Sequence, residues 1–465
     1  MTDRPLPLVT RTVPVAASDP IDLFAAARSQ NLEAALWLQP AADRSLVGIG
    51  RAWAVQAGGP DRFSRVNTAW RALLADAERS GAAPALPEAG PTLIGGLGFS
   101  GREPAADDRW AAFGPASLVL PALCVTRHGG SAALTISVGP DQAGELDTMQ
   151  LEREWHAIAA QANRIPATAA ATATASATTA TGRPGTLRLV DSCPDRATWD
   201  RTVGLFADAV ARGRLDKVVL ARRVVFRADT DLDVVAALRH LAETAPESTT
   251  FAFARDGVTF LGATPERFLR TAGRSFATVA IAGSAPRGGD AGEDASLAAA
   301  LLASAKDRAE HAVVVATLRD SLAPIVESLT IAEGPAILPL SHVQHLMTPV
   351  SGRLREEAGL LALAQELHPT PAVGGAPRDA ALALITEREG FERGWYAGPV
   401  GWLGADGDGE LMVALRCALV SGAEATLFAG CGIVADSDPA SEWEESRLKL
   451  RTMLAALGGS VEDGR

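Results

Sequence analysis

Lysine is nearly absent from this 465-residue chain: of its 43 basic residues, only Lys217, Lys306 and Lys449 are lysines, and the others are arginines. Arginine therefore serves wherever a surface cation is sufficient. A lysine can do what an arginine cannot, because a desolvated ammonium group can lose its proton, whereas a guanidinium stays charged. Any one of the three lysines could equally be retained by chance on a solvated surface. The residues around each lysine therefore decide whether it has a function.

Cysteine is scarce as well, and the four cysteines Cys124, Cys193, Cys417 and Cys431 show no CxxC spacing. The sequence therefore predicts neither a zinc site nor a disulfide framework, and we expect small core residues in a reducing cytosol. It also shows no signal-peptide pattern and no apolar run as long as a membrane span. These observations together predict a cytoplasmic, soluble protein without a membrane partner.

Positive charge is not in excess, since the formal net charge is −12 and the pI is about 5.2. Proteins that bind nucleic acids present a basic face, so a nucleic-acid partner is not expected. An anionic small-molecule substrate remains compatible with this balance, because a few arginines can form a positive pocket within an acidic protein.

An Ala/Thr-rich stretch at 166–185 interrupts the patterned sequence, and its small residues predict a flexible loop. Before it (1–165) and after it (186–460, the part that carries the candidate site), apolar segments between turn residues predict more strands than helices. Most of these strands are joined by hairpin-sized turns. The sequence therefore predicts an α+β fold with large antiparallel β-sheets flanked by helices.

Two predicted helices in this region each carry a pair of acidic residues. A long helix is predicted from Asp294 to about Ile325, and a last helix is predicted with Ser441 as its N-cap. Asp307 and Glu310 on the long helix, and Glu442 and Glu445 on the last one, are each three residues apart and so share a helix face. Two such faces across a cleft would bind a hard cation such as Mg²⁺, because no Cys or His cluster accompanies them. The alternative is a solvated surface on which Lys306–Glu310 and Glu445–Lys449 form local ion pairs.

Small-residue turns supply further candidates. Pro265 fixes a turn at the end of a predicted strand, and the adjacent Glu266 can point into a cleft or lie on the surface. The turns AGSAPRG, which contains Gly283 and Ser284, and GCG, from Gly430 to Gly432, could bind a carboxylate through backbone N–H groups. Each turn alone is weak evidence, since glycine turns are common.

These segments together resemble the chorismate-utilising enzymes, a family that includes isochorismate, anthranilate, aminodeoxychorismate and salicylate synthases. The resemblance covers about Ala197 to Gly459, and its blocks occur in the family's order: KVVLARR, GATPERF, AIAGSAPRG, SAKDRAEH, SHVQHLMTPVSG, LHPTPAVGGAPR, GWYAGPVGW, MVALRCAL, FAGCGIV and DPASEWEESRLKL. The part before the Ala/Thr-rich stretch is similar to the family's variable N-terminal part. That similarity implies that the stretch is an insertion loop within one fold, a single large domain of antiparallel β-sheets flanked by helices like that of anthranilate synthase component I.

Two blocks favour the isochorismate synthase branch. LHPTPAVGGAPR, from Leu367 to Arg378, is similar to the form found in isochorismate synthases, and the lysine of KVVLARR is typical of members that add water. The resemblance implies Mg²⁺-dependent, reversible conversion of chorismate to isochorismate, feeding menaquinone or siderophore biosynthesis. It also implies a monomer that needs no glutaminase subunit.

The resemblance further implies roles for individual residues. Lys217 would be the catalytic base and Glu266 the catalytic acid, and Glu310 and Glu445 would hold Mg²⁺ with Asp307 and Glu442 nearby. The expected substrate-binding residues are Gly283, Ser284, His345, Thr348, Arg416, Gly430, Gly432 and Lys449. His345 could instead be a core histidine, and Lys306 receives no role.

Two other functions remain open at this point. A salicylate synthase would form isochorismate and then eliminate pyruvate from it. A non-catalytic relative would bind chorismate or a partner without turnover, but Lys217, Glu266, Glu310 and Glu445 are all present, which speaks against this reading.

Overall fold

The computed structural model describes residues 7–81, 86, 88–105, 108–141, 148–163, 187–339, 343–356 and 358–459. The Ala/Thr-rich stretch at 166–185, predicted as a flexible loop, lies outside these residues. No helix in the described residues is long and apolar enough to cross a membrane.

Strands dominate the described part of the chain, as the sequence predicts. They are β1 Val9–Val15, β2 Ala34–Gln39, β3 Arg44–Ile49, β4 Trp53–Gln56, β5 Glu78–Gly81, β6 Thr92–Leu97, β7 Ala116–Leu120, β8 Leu123–His128, β9 Ser131–Val138, β10 Arg188–Cys193, β11 Lys217–Arg227, β12 Thr249–Arg255, β13 Val258–Thr264, β14 Arg267–Ala272, β15 Ser275–Pro286, β16 Val326–Ile331, β17 Ala336–Pro339, β18 Val343–Leu354, β19 Gly375–Ala376, β20 Pro399–Gly404, β21 Gly409–Val413, β22 Cys417–Ser421 and β23 Glu424–Ile433.

The described residues also form ten α-helices. They are α1 Pro20–Ser29, α2 Arg62–Ala75, α3 Thr148–Ala162, α4 Arg196–Ala211, α5 Val234–Thr244, α6 Ala291–Ala303, α7 Ala305–Leu322, α8 Leu360–Leu367, α9 Arg378–Arg388 and α10 Pro439–Ala456.

The strands form two large sheets. The first has 13 strands in the order β10-β11-β23-β22-β13-β12-β2-β3-β8-β9-β1-β5, with β19 paired to β11. The second has 10 strands in the order β16-β18-β15-β14-β21-β20-β6-β7-β4, with β17 paired to β18. Neighbouring strands are antiparallel except β1 and β5, which are parallel. This arrangement confirms the predicted α+β fold of antiparallel sheets flanked by helices.

The central strands of the first sheet are buried on both faces, which explains their apolar sequences. Successive residues of one strand enter different cores: Phe260 packs in the larger apolar core, which it shares with residues of the second sheet, and Leu261 packs in the smaller one. Helices α1, α3, α5 and α10 contribute Phe24, Trp155, Leu238 and Leu450 to that smaller core. Because side chains alternate along a strand, one sheet serves two cores.

Two helix predictions near the site are wrong in detail. The helix expected from Asp294 to about Ile325 is two helices, because Ser304 leaves the helical conformation and caps α7, with its hydroxyl accepting the amide of Asp307. The last helix begins earlier than predicted, since Asp438 is the N-cap and accepts the amide of Ser441 at 2.8 Å.

A buried ion pair fixes β11, the strand that begins with Lys217. Arg393 and Glu389 have side chains only 3% and 2% exposed and pair at 2.6 Å. The Arg393 guanidinium also donates to the carbonyl oxygens of Val373 and Val219, and Glu389 accepts the amide of Ala221. The pair therefore satisfies backbone groups of β11 as well as its own charges.

Glu389→Ala should lower the free energy of unfolding by ~3–5 kcal/mol, because it leaves the Arg393 guanidinium buried and unpaired. Urea denaturation measures this effect. The matched control is Glu387→Ala, whose exposed side chain pairs with an exposed arginine, Arg388, and which should change stability by less than ~0.5 kcal/mol. Equal urea midpoints for the two variants would contradict the assigned role of the buried pair.

Candidate active site

One cavity of 380 Å³ gathers nearly all of the residues that the sequence predicts for the site. The cavity lies where the start of β11, the β13–β14 turn, β15, β23 and the N-terminal turns of α7 and α10 meet. Thirteen of the fourteen predicted residues line it: Lys217, Glu266, Gly283, Ser284, Asp307, Glu310, His345, Arg416, Gly430, Gly432, Glu442, Glu445 and Lys449. Lys306 lines it too, so all three lysines of the chain meet in one place.

Lys217 is the first residue of β11, and its side chain is only 10% exposed. Its Nζ donates to Glu310 Oε1 on α7 at 2.7 Å. Val219 on β11 is in register with Gly432 on β23, and the Lys217 side chain lies across that glycine. A β-carbon at Gly432 would come within 2.3 Å of Lys217 Cε, so the glycine provides the space that this side chain occupies.

Glu266 lies in the short turn between β13 and β14, where its carboxyl group lines the cavity. Burial raises the pKa of Glu266 to about 7, while Arg416, Lys217 and Lys449 act in the opposite direction. A carboxyl group with this pKa is protonated in part of the molecules at neutral pH and can donate a proton.

A β-bulge shapes the wall opposite β23. The register of β15 and β18 shifts between Ile281 and Ser284, and Gly283 in this bulge has φ +80°, a conformation that favours glycine. Ser284 Oγ and His345 Nδ1 lie 2.7 Å apart across the two strands. Burial, together with the cations Arg416 and Lys449, lowers the pKa of His345 to about 4, so its imidazole is neutral at neutral pH.

Thr348 is the predicted substrate-binding residue that the structure places elsewhere. Its side chain is buried, and its Oγ1 lies 2.7 Å from His311 Nε2 on α7. His311 Nδ1 contacts the carbonyl oxygen of Ala282 at 3.2 Å. Thr348 therefore joins a hydrogen-bonded contact between β18, α7 and β15 and does not line the cavity.

The acidic residues of α7 and α10 meet at the same cavity, but each already has a protein partner. Glu445 Oε1 accepts from Lys449 Nζ at 2.5 Å, as the predicted helix spacing allows. Glu442 Oε1 accepts from Ser437 Oγ at 2.7 Å, and burial raises the pKa of Glu442. Lys449 lowers the pKa of Glu445, so this carboxylate stays ionised near neutrality.

The donor set fits a hard divalent cation. Ligand atoms of Cys431, Glu442 and Glu445 lie within 4.8 Å of one another, and Glu310 and Asp307 line the same cavity from α7. The Cys431 thiol is buried and lies 3.2 Å from the Glu442 carbonyl oxygen, and burial raises its pKa well above the ordinary value. A protonated thiol is a poor metal ligand, so carboxylate oxygens dominate, as Mg²⁺ prefers.

Arg416 supplies a cation next to these groups. It lies between β21 and β22 with φ +48°, a left-handed conformation that is uncommon for a residue with a side chain. Its guanidinium makes no hydrogen bond or ion pair with any other described residue, although Glu266 and Glu445 influence it electrostatically. A strained, unpaired arginine that lines a cavity is well suited to bind a carboxylate.

Tyr396 is a cavity residue that the sequence analysis missed. Its ring stacks on Phe428 with centroids 5.2 Å apart, and a β-carbon at Gly430 would lie 2.9 Å from its hydroxyl oxygen. It is the only tyrosine of the chain. The scarcity that singled out the lysines could therefore have singled out Tyr396 as well.

The whole chain matches a known family. Residues 2–458 match the family model described as chorismate binding enzyme, and the chain belongs to this family. It is similar to the salicylate biosynthesis isochorismate synthase of Pseudomonas aeruginosa, with 39% identity covering 99% of this chain and 92% of the relative. It is also similar to the isochorismate synthase MenF of Bacillus subtilis, with 31% identity covering 97% and 94% of the two chains.

Solved structures show the same fold. MenF, the menaquinone-specific isochorismate synthase from Escherichia coli, matches with a TM-score of 0.74 and 26% identity over 97% of this chain and 94% of that one. Anthranilate synthase component I from Streptococcus pneumoniae matches with a TM-score of 0.71 over 89% and 92% of the two chains. At 22% identity, that second likeness concerns the fold alone.

The raised pKa of Glu266 makes a prediction about stability. Because its folded-state pKa exceeds the ordinary 4.5 of glutamate, the folded state loses stability as pH rises from about 4.5 to about 7. Glu266→Gln removes this loss. Across that pH interval, the free energy of unfolding of the variant should therefore rise by ~3 kcal/mol relative to that of the native protein. The measurement is urea unfolding at several pH values without metal or substrate. The exposed-site variant Glu387→Gln is the control, and a pH-independent difference for Glu266→Gln would refute the assignment.

Proposed function

We propose that this protein is an isochorismate synthase, which interconverts chorismate and isochorismate by adding water at C2 and releasing the C4 hydroxyl. One observation carries the proposal: a buried lysine and a carboxyl group with a pKa near neutrality face the same cavity. The reaction needs a base near C2 and an acid near C4. The isochorismate synthase names of the relatives support the same reading.

In the forward direction, Lys217 takes a proton from the attacking water while Glu266 gives its proton to the departing C4 hydroxyl, which leaves as water. One water is consumed and one is released, so substrate and product are isomers. The two residues end with exchanged protonation states, and the reverse reaction uses them in the opposite roles. This symmetry accounts for a reversible reaction.

The cationic groups of the cavity position the two carboxylates of the substrate. Arg416 and Lys449, together with the backbone of Gly430 and Gly432, form one group of contacts. Gly283 and Ser284 in the β15 bulge, with neutral His345, form a second group of contacts near the ring. Thr348 is left out, because its hydroxyl is already paired with His311.

Glu310 and Glu445 would hold Mg²⁺, and Asp307 and Glu442 line the same cavity beside them. When bound at these carboxylates, the cation supplies Lewis acidity toward a substrate carboxylate and so withdraws electron density from the ring. The protein's own contribution is to fix these oxygens on two helix N-terminal turns that face one cavity. We expect the enzyme to act as a cytoplasmic monomer without a glutaminase subunit, supplying menaquinone or siderophore biosynthesis.

The test is product analysis. Purified protein with Mg²⁺ should convert chorismate to isochorismate, approach the same mixture from either compound, and gain no activity from ammonia. Chromatography separates the candidates. Salicylate plus pyruvate as the main products would identify a salicylate synthase, anthranilate would identify an ammonia-using enzyme, and unchanged chorismate would favour a non-catalytic relative.

Gly432→Ala should lower kcat by roughly 10²-fold with little change in stability, because the new methyl group fills the space through which the Lys217 side chain enters the cavity. Gly432 has no positive φ, so the backbone accepts alanine without strain. Steady-state kinetics on chorismate and a thermal melt measure both effects. Gly204→Ala on α4, where a β-carbon meets nothing within 4 Å, is the control and should leave kcat unchanged. Equal kcat values for the two variants would show that Lys217 does not need the space beside Gly432.

A further inference from the structure

In each of the two carboxylates that are proposed to bind the metal, one oxygen accepts a hydrogen bond from a lysine. Lys217 Nζ lies 2.7 Å from Glu310 Oε1, and Lys449 Nζ lies 2.5 Å from Glu445 Oε1. The two pairs come from different parts of the fold, since one joins β11 to α7 and the other lies within α10. The same arrangement therefore arises twice, independently, around one cavity.

The pairing of Glu310 is not explained by helix geometry. Lys306 and Glu310 are four residues apart on α7, a spacing that allows an ion pair. Glu310 instead contacts Lys217 on another element, and Lys306 is exposed and makes no hydrogen bond or ion pair within the described residues. Glu310 could therefore pair with either Lys306 or Lys217, and in the structure it pairs with Lys217, the proposed base.

A carboxylate oxygen cannot serve an ammonium and a metal ion fully at the same time. Mg²⁺ needs its oxygen ligands at about 2.0–2.1 Å in near-octahedral positions, and an ammonium within about 3 Å of the same oxygen repels it. Without the lysines, four carboxylates around one cavity would repel one another, which raises the free energy of the metal-free site. Without a bound metal, the lysine ammonium groups therefore reduce the repulsion among these carboxylates.

We propose that metal and lysines exchange at these carboxylates, so that a bound divalent cation takes Glu310 and Glu445 and releases Lys217 and Lys449 toward the substrate. This exchange rests on the proposed function and adds a coupling between metal binding and the position of Lys217. Lys217 is held on Glu310 in the metal-free site and reaches the substrate only in the metal-bound one. The metal therefore positions the base as well as polarising the substrate.

The three lysines provide a matched experiment. Lys217→Met, Lys449→Met and Lys306→Met each remove one positive charge from the same cavity, but only the first two remove a competitor for a carboxylate. Calorimetric titration with MgCl₂, without substrate, measures the affinity directly. Lys217→Met and Lys449→Met should bind Mg²⁺ at least tenfold more tightly than Lys306→Met, since each competing bond is a charge-assisted one.

The outcomes separate the exchange from the proposed function. Equal affinities for all three variants would show a general charge effect and overturn the exchange, even if the native protein forms isochorismate. Native protein that neither binds Mg²⁺ nor requires it for turnover would overturn both the cofactor and the exchange. Thermal melts of each variant without metal identify any variant that fails to fold. Because the two lysine–carboxylate pairs test the inference separately, a folded Lys217→Met or Lys449→Met protein is sufficient to decide it.

Discussion

The buried pair of Arg393 and Glu389 is the interaction on which the active-site wall depends. It spans the backbone of β11 at Val219 and Ala221 and reaches the carbonyl oxygen of Val373. Strand β11 begins with Lys217 and pairs along its length with β23, which carries Gly430 and Gly432. The positions of the proposed base and of the glycines beside it thus follow from one pair of charges whose groups are hydrogen-bonded inside the protein.

The buried arginines of the framework and the lysines of the cavity make different kinds of contact. Arg393 and Arg255 are almost wholly buried, each pairs with a glutamate, and their guanidinium groups stack over aromatic rings. The three lysines all line the cavity, where a compact ammonium can change partners. Arginine's planar group forms several fixed hydrogen bonds at once and suits a permanent scaffold, whereas the single point charge of lysine suits a site that has to rearrange.

Much of this arrangement could be predicted from the sequence, and the exceptions have physical reasons. The α+β fold and the gathering of most candidate residues follow from strand patterns and from motifs that each hold several residues together. The partner of Glu310 could not be predicted, because spacing along a helix shows which residues can meet on that helix and not which strand lies opposite. The end of α6 at Ser304 could not be predicted, because the apolar periodicity continues across α6 and α7. It is seen only in the N-cap that Ser304 forms for α7. Thr348 was assigned by the motif, but alternation along β18 and the presence of His311 turn its side chain elsewhere.

The interleaving of the two sheets has a consequence for how the chain reaches its folded state. Strand β2 pairs with β12, and β6 pairs with β20, so strands from the first hundred residues have neighbours that follow more than two hundred residues later. During synthesis on the ribosome these early strands have open edges until distant segments emerge. Folding of such non-local pairings is slow, because long loops must close before the contacts form. The cavity of the candidate active site, whose lining residues all follow β10, is therefore completed late and depends on strands that its own segment does not contain.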